Sequence, residues 1–190
     1  LTKKVFNSDY VLQCLRLAGL MHDLGHPPFS HSGEIFLPYS SDVLKAHPDL
    51  PDYLKKHLEG RIESEGKEGL RQRVKHETYT ILLIWKIISD IDEGNQDKAA
   101  LPSVTARDVI SIINPKIEEE TTSELYKLGA NKLCHQLVSG EVDIDRMDYL
   151  TRDSKEAGVV YGIFDGDRIL DSLCVYYDQT DDNYKIVLMN

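Results

Sequence analysis

Three of the chain's seven histidines fall within ten residues: His22, His26 and His31. They stand in the run His22-Asp23-Leu24-Gly25-His26-Pro27-Pro28-Phe29-Ser30-His31-Ser32-Gly33-Glu34. Imidazole and carboxylate side by side are the donors that borderline divalent cations take. At the C-terminal end of a helix the backbone can unwind, which lets neighbouring side chains such as His22 and Asp23 reach one ion. An isolated His-Asp pair also serves as a helix-end cap or a salt bridge. The tight cluster of imidazoles, with Glu34 close behind, favours a metal site.

A second constellation is Asp143-Ile144-Asp145-Arg146-Met147-Asp148-Tyr149-Leu150-Thr151-Arg152-Asp153. On a helix turning about 100° per residue, Asp145, Tyr149, Arg152 and Asp153 share one arc. Met147, Leu150 and Thr151 lie opposite, with Ile144 on their flank. The expectation is a helix that buries one face and presents carboxylate, phenol and guanidinium on the other. A solvated charged face is the plainer alternative. The phenol among the charges, and the lack of a Glu/Lys ladder, favour a site.

The elements that must position these groups are mostly helices. Asp9 caps a helix expected over 9–24, with Val11, Leu12, Leu15, Leu17, Ala18 and Met21 on its apolar side, ended by Gly25, Pro27 and Pro28. A short helix is expected over 30–37. Residues 38–75, broken by three prolines, read as loop with one helix near 51–58 and a mobile stretch near 63–69. Residues 76–91, apolar on most sides, read as a buried central helix, and 92–102 as loop. Helices follow over 105–113, 122–138, 143–156 and 165–173. Cys174 to Tyr177 and Tyr184 to Leu188, flanking a polar turn, form a β-hairpin. The fold class is mainly α, and no βαβ alternation supports a parallel sheet.

Composition limits the partners. At 190 residues the chain is sized for one domain. Hydrophobic residues at 41% and charged residues at 28% are those of a globular protein. No apolar stretch is long enough to span a bilayer, so no membrane is expected. With 32 acidic and 22 basic residues the net charge is −10, which disfavours nucleic acid and anionic membranes. A phosphate ligand needs a local cation. Cys14, Cys134 and Cys174 lie far apart without metal-ligand spacing, which suits a reducing, cytoplasmic location.

The two constellations together resemble the HD-domain phosphohydrolases, and within them the deoxynucleoside triphosphate triphosphohydrolases, including the SAM-and-HD-domain type. The resemblance rests on H-D-L-G-H-P-P-F-S-H-S-G-E at 22–34 and G-E-V-D-I-D-R-M-D-Y-L-T-R-D at 140–153. It extends weakly through 35–139, where His76-Glu77 matches. It implies an HD-domain helical bundle over 1–173, and a hairpin at 174–190 that opens a further region. His22, Asp23 and Asp145 are then expected to hold a divalent metal: Mg, Mn, Fe, Zn or Ni. His31, Glu34 and His76 are expected to be catalytic. His26, Arg146, Tyr149 and Asp153 are expected to bind substrate, the first two at the phosphates and the last two at the deoxyribose. The implied reaction is water attack at the α-phosphorus of a dNTP, releasing deoxynucleoside and inorganic triphosphate, in a homo-oligomer.

The family's site uses one more histidine, well upstream of the His-Asp pair. None precedes His22, and the chain starts at Leu1, so the expectation is a catalytic-domain fragment truncated at its N-terminus. Two other functions fit the residues. One is an HD phosphohydrolase acting on a nucleotide monoester, diester or alarmone. The other is a non-catalytic module that binds nucleotide or a partner chain.

Overall fold

In the computed structural model, residues 8–64, 73–94, 104–118, 123–127, 129–180 and 183–189 are described. In chain order the helices are α1 (Ser8–Met21), α2 (Ser40–Ala46), α3 (Asp52–Ser64), α4 (His76–Gly94), α5 (Ala106–Ile113), α6 (Glu124–Lys127), α7 (Ala130–Val138), α8 (Ile144–Ala157) and α9 (Gly166–Ser172). Two 3-10 turns, Ser30–Phe36 and Pro115–Glu118, lie between them, and the strands β1 (Leu173–Asp178) and β2 (Asn183–Leu188) close the chain. The protein is mainly α with a small C-terminal antiparallel hairpin. Among the described residues no helix is long and apolar enough to cross a membrane.

α5 is the hub. Thr105 caps it, its Oγ1 accepting from the Asp108 amide at 3.1 Å. Val109, Ile110, Ser111 and Ile112 are all buried, because α1, α4 and α7 pack around them. α1 meets this hub with Cys14, Ala18 and Met21, spaced at helical intervals. Asp108 is 3% exposed, yet well satisfied. Its carboxylate accepts from Tyr10 at 2.5 Å, from Thr105 at 2.9 Å, from the Leu125 amide at 3.4 Å and from the Ser123 hydroxyl. This knot ties α1 and the start of α6 to α5. A buried carboxylate without such donors is costly. Burial around it pushes the Cys14 thiol up to about 12 and the Cys134 thiol up to about 11, so both stay protonated.

Several expected elements are corrected. α1 stops at Met21, three residues early, and 22–25 form turns instead. Gly25 does not cap the helix; it packs against α4, where a Cβ would sit 2.2 Å from the His76 carbonyl oxygen. The 38–75 region holds two helices, α2 and a longer α3, where one short helix was expected. This excursion is closed at its neck: the Val74 amide donates to the Pro38 carbonyl at 2.9 Å, and Tyr39 bridges to Arg73. The mobile stretch expected near 63–69 lies outside the described residues from 65 onward, and so does the loop from 95. α4 is buried on one side only; Ile87 and Ile91 are exposed. The helix expected over 122–138 is broken at Gly129, whose φ of 69° is left-handed.

α8 departs most from expectation. Asp143 caps it, accepting from the Arg146 amide at 2.7 Å, and Gly158 at φ 66° ends it. The face expected to be buried is not: Ile144, Leu150 and Thr151 are exposed. The buried residues are Asp143 and Ser154. The return loop seats on the Ser154 side, where a Cβ at Gly162 would lie 2.0 Å from the Leu150 carbonyl oxygen. Asp165 caps α9. The hairpin runs Leu173↔Leu188 to Asp178↔Asn183 and is pinned to α7 by Gln136. The Gln136 Nε2 donates to the Tyr184 carbonyl at 3.0 Å, and its Oε1 accepts from the Ile186 amide at 2.9 Å.

Candidate metal centre

The turn after α1 carries His22, Asp23 and His26. It is held against α4 by the Gly25 amide, which donates to Thr80 Oγ1 at 2.9 Å. Asp145 comes from the first turn of α8, which its Asp143 cap fixes. The two meet across the bundle. His22 Nε2 lies 3.4 Å from Asp145 Oδ1 and 3.6 Å from Asp23 Oδ2. The three donor atoms of this trio all lie within 4.8 Å of one another.

The protonation of His22 bears on what this trio can hold. Its Nδ1 is 2.8 Å from the Gly19 carbonyl oxygen, which can only accept, so Nδ1 carries the hydrogen. In the neutral ring the lone pair is then on Nε2. That atom is buried and has no hydrogen-bond partner, although two carboxylates face it. A buried nitrogen lone pair aimed between two carboxylates suits a cation and little else. One imidazole and two carboxylates make a borderline donor set, so the residues fit a divalent metal. The backbone carbonyl behind Nδ1 orients the ring, as second partners of metal-ligating histidines do.

A second group adjoins the first. His76, the first residue of α4, stacks on His26 with ring centroids 3.9 Å apart at 18°. His31 meets His76 edge-on at 4.9 Å. Glu34 sits among them: His76 Nδ1 donates to its Oε1 at 2.5 Å, and His31 Nδ1 lies 3.3 Å from the same atom. The hydrogen bond from His76, aided by that from His31, holds the Glu34 carboxyl down at about 2. Glu34 is therefore ionised at neutral pH and accepts only, so the facing nitrogens of His76 and His31 must donate. Each ring, when neutral, keeps its lone pair on Nε2. Asp23 links the two groups, its Oδ1 lying 3.6 Å from His26 Nε2.

The loop between them is strained. Phe29 and Ser30, both outside the glycine class, have φ of 70° and 54°. Such backbone persists where its surroundings over-determine it. Here Pro27 and Pro28 fix one side, and Gly33 packs so closely that a Cβ would lie 2.1 Å from the Pro28 carbonyl oxygen.

Six of the residues singled out from sequence thus gather on this side of the bundle in two adjoining groups with Asp145: His22, Asp23, His26, His31, Glu34 and His76. The other three are not drawn in. The Arg146 guanidinium turns back to its own helix start, 3.7 Å from Asp143 Oδ2 and 3.2 Å from the Glu141 carbonyl. Asp153 is exposed and lies 3.4 Å from Arg152 Nε. Tyr149 is half-buried and makes no hydrogen bond or ion pair to either group among the described residues. Asp148 pairs with Arg152 at 2.6 Å, one turn on. The sequence reading assigned Thr80 no role, and its hydroxyl is what seats the His-Asp turn. A threonine inside an apolar helix is the one signal that could have pointed to it.

Residues 11–153 match the HD domain family, and the chain belongs to that family. Among curated proteins it is 31% identical to the uncharacterised protein YwfO of Bacillus subtilis over 80% of this chain and 24% of that one. It is 30% identical to a deoxynucleoside triphosphate triphosphohydrolase SAMHD1 homolog of Dictyostelium discoideum over 76% of this chain and 20% of that one. It is 27% identical to the human deoxynucleoside triphosphate triphosphohydrolase SAMHD1 over 80% of this chain and 21% of that one. The chain spans about a quarter of the length of the curated relatives it matches. No solved structure matches it.

Proposed function

We propose that this chain carries the metal-binding and catalytic part of a phosphohydrolase that cleaves deoxynucleoside triphosphates to deoxynucleoside and inorganic triphosphate. The observation that carries the reading is the buried Nε2 lone pair of His22, facing the carboxylates of Asp23 and Asp145. These three residues would hold a divalent cation, which when bound would acidify water and polarise a phosphoryl oxygen.

The chain's own residues supply the rest. Glu34, held ionised, fixes His76 and His31 in the tautomer whose Nε2 accepts a proton. His31 is the more accessible of the two, its side chain 74% exposed against 12% for His76, and is the ring that exchanges protons with water or the leaving group. His26, stacked on His76, adds a polar edge beside the cation for the phosphate chain. Arg146 is the cation next in sequence to Asp145, and swinging it off Asp143 brings positive charge to the phosphates. Tyr149 and Asp153, one and two turns after Asp145, take the deoxyribose. Support for the substrate class comes from the relatives that bear the triphosphohydrolase name. Homo-oligomeric assembly and a cytoplasmic location belong to the same reading.

The test is product analysis. The full-length protein, loaded with Mn²⁺, is incubated with each dNTP and the anions are separated by ion chromatography. Triphosphate without orthophosphate or pyrophosphate is expected. Orthophosphate, or turnover confined to a nucleotide monoester, diester or alarmone, would replace the reading with another HD phosphohydrolase. No turnover and no bindable divalent ion would leave a nucleotide-binding or interaction module.

A further inference from the structure

The excursion between Pro38 and Val74 leaves a cavity of about 400 Å³ between α2, with the segment after it, and α4. Its wall is apolar. Val43 and Leu50 line it from the α2 side; Tyr79, Leu82, Leu83 and Trp85 line it from α4. Val43, Leu50 and Leu82 are buried beneath it, and Tyr79, Leu83 and Trp85 are half-buried along it, so it is an open hollow floored by the core. An apolar cavity of roughly 150 Å³ is enough for one benzene ring, so this one has room for two fused rings. Aromatic walls opposite aliphatic ones favour a flat molecule.

The mouth sets the charge of the occupant. Asp42, His47 and Lys86 stand there. The aspartate and the lysine are opposite in sign, and each has a partner on its own helix: Lys86 Nζ is 2.7 Å from Asp90 Oδ1, and Lys45 Nζ is 3.8 Å from Asp42 Oδ1. No net charge is left to hold an ion, and a charged ligand would lose its hydration without compensation. The walls are also fixed before a ligand arrives. The Pro38–Val74 hydrogen bond and the Tyr39–Arg73 bridge close the neck of the excursion, and Arg73 lies over the Tyr39 ring at 4.5 Å. A pre-formed wall spares the cost of ordering it on binding.

We infer that the α2–α4 cavity is a binding site for a neutral, planar two-ring molecule, separate from the metal centre. It shares α4 with that centre but none of its residues: Tyr79 is one turn beyond His76.

The single tryptophan makes the test clean, since its indole N–H gives one isolated resonance. The ¹⁵N-labelled protein is titrated with unlabelled indole. The expected result is a saturable shift of the Trp85 side chain and of the Val43, Leu82 and Leu83 amides, with a dissociation constant on the order of 10–100 μM. Indole-3-acetate and tryptamine, the anionic and cationic analogues, should bind at least about tenfold more weakly. Ala46→Phe, at an exposed position on the cavity rim, should abolish the shift while keeping a cooperative thermal transition. Leu83→Phe is the second filling variant, so that one misfolded protein does not decide the matter. No saturable shift up to the solubility limit of indole would overturn the inference. So would unchanged binding by a folded filling variant, or equal binding of the charged analogues.

Discussion

Replacing Asp145 with asparagine is expected to stabilise the metal-free protein and to weaken the metal-loaded one. The facing oxygens of Asp23 and Asp145 lie no more than 4.8 Å apart. Their side chains are 50% and 41% exposed, so a water-like dielectric applies, and the repulsion between them is about 1 kcal/mol. Asp145→Asn removes that repulsion, and for a protein of this size about 1 kcal/mol raises Tm by roughly 2–4 °C. A divalent ion at about 100 times its Kd adds about 2.7 kcal/mol to the wild type, or roughly 5–10 °C. If the variant binds about a hundredfold more weakly, the same concentration adds about 0.4 kcal/mol. The order of the two melting temperatures therefore reverses between EDTA and Mn²⁺, which differential scanning calorimetry reads directly. A metal-free variant less stable than the wild type would make Asp145 a structural residue. Equal Mn²⁺-induced shifts in the two proteins would remove it from the metal centre.

Glu34→Gln tests the histidine group without any ligand. The His76 hydrogen bond holds the Glu34 carboxyl at about 2, below its ordinary 4.5, so its contribution is present above pH 4.5 and is lost as pH falls towards 2. With a side chain 24% exposed, screening leaves about 1 kcal/mol of this. Urea titrations between pH 5 and 2 should show this loss in the wild type and a flatter profile in the variant; identical acid slopes would refute the role given to Glu34. Gly25→Ala puts a Cβ 2.2 Å from the His76 carbonyl oxygen and 2.4 Å from the Thr80 amide nitrogen, both backbone atoms with little room to move. A loss of about 2–4 kcal/mol in chemical denaturation is expected, together with weaker Mn²⁺ binding, because the turn carrying His22 and Asp23 is displaced. A wild-type midpoint would show that the turn is free to shift.

Local patterns in the chain specified local things. The adjacency of His22 and Asp23, the caps at Asp143 and Asp165, the hairpin around Asp178 to Asn183 and the helical repeat of α5 depend on neighbours a few residues away, so they could be read directly. α2 was missed because its polar residues between prolines carry no strong period; its packing on α3 is a tertiary contact that no local pattern shows. The face of α8 was misjudged because periodicity says which residues share a side and not whether another element covers it. The kinds of donor present and their short-range order follow from the order of residues along the chain. That Asp145 reaches His22 from more than a hundred residues away, that His76 closes onto Glu34 and His26, and that Asp108 knots three helices together were decided by tertiary structure. The physical reason is that such contacts depend on how the loops close and how the core packs, and no stretch of neighbouring residues encodes either.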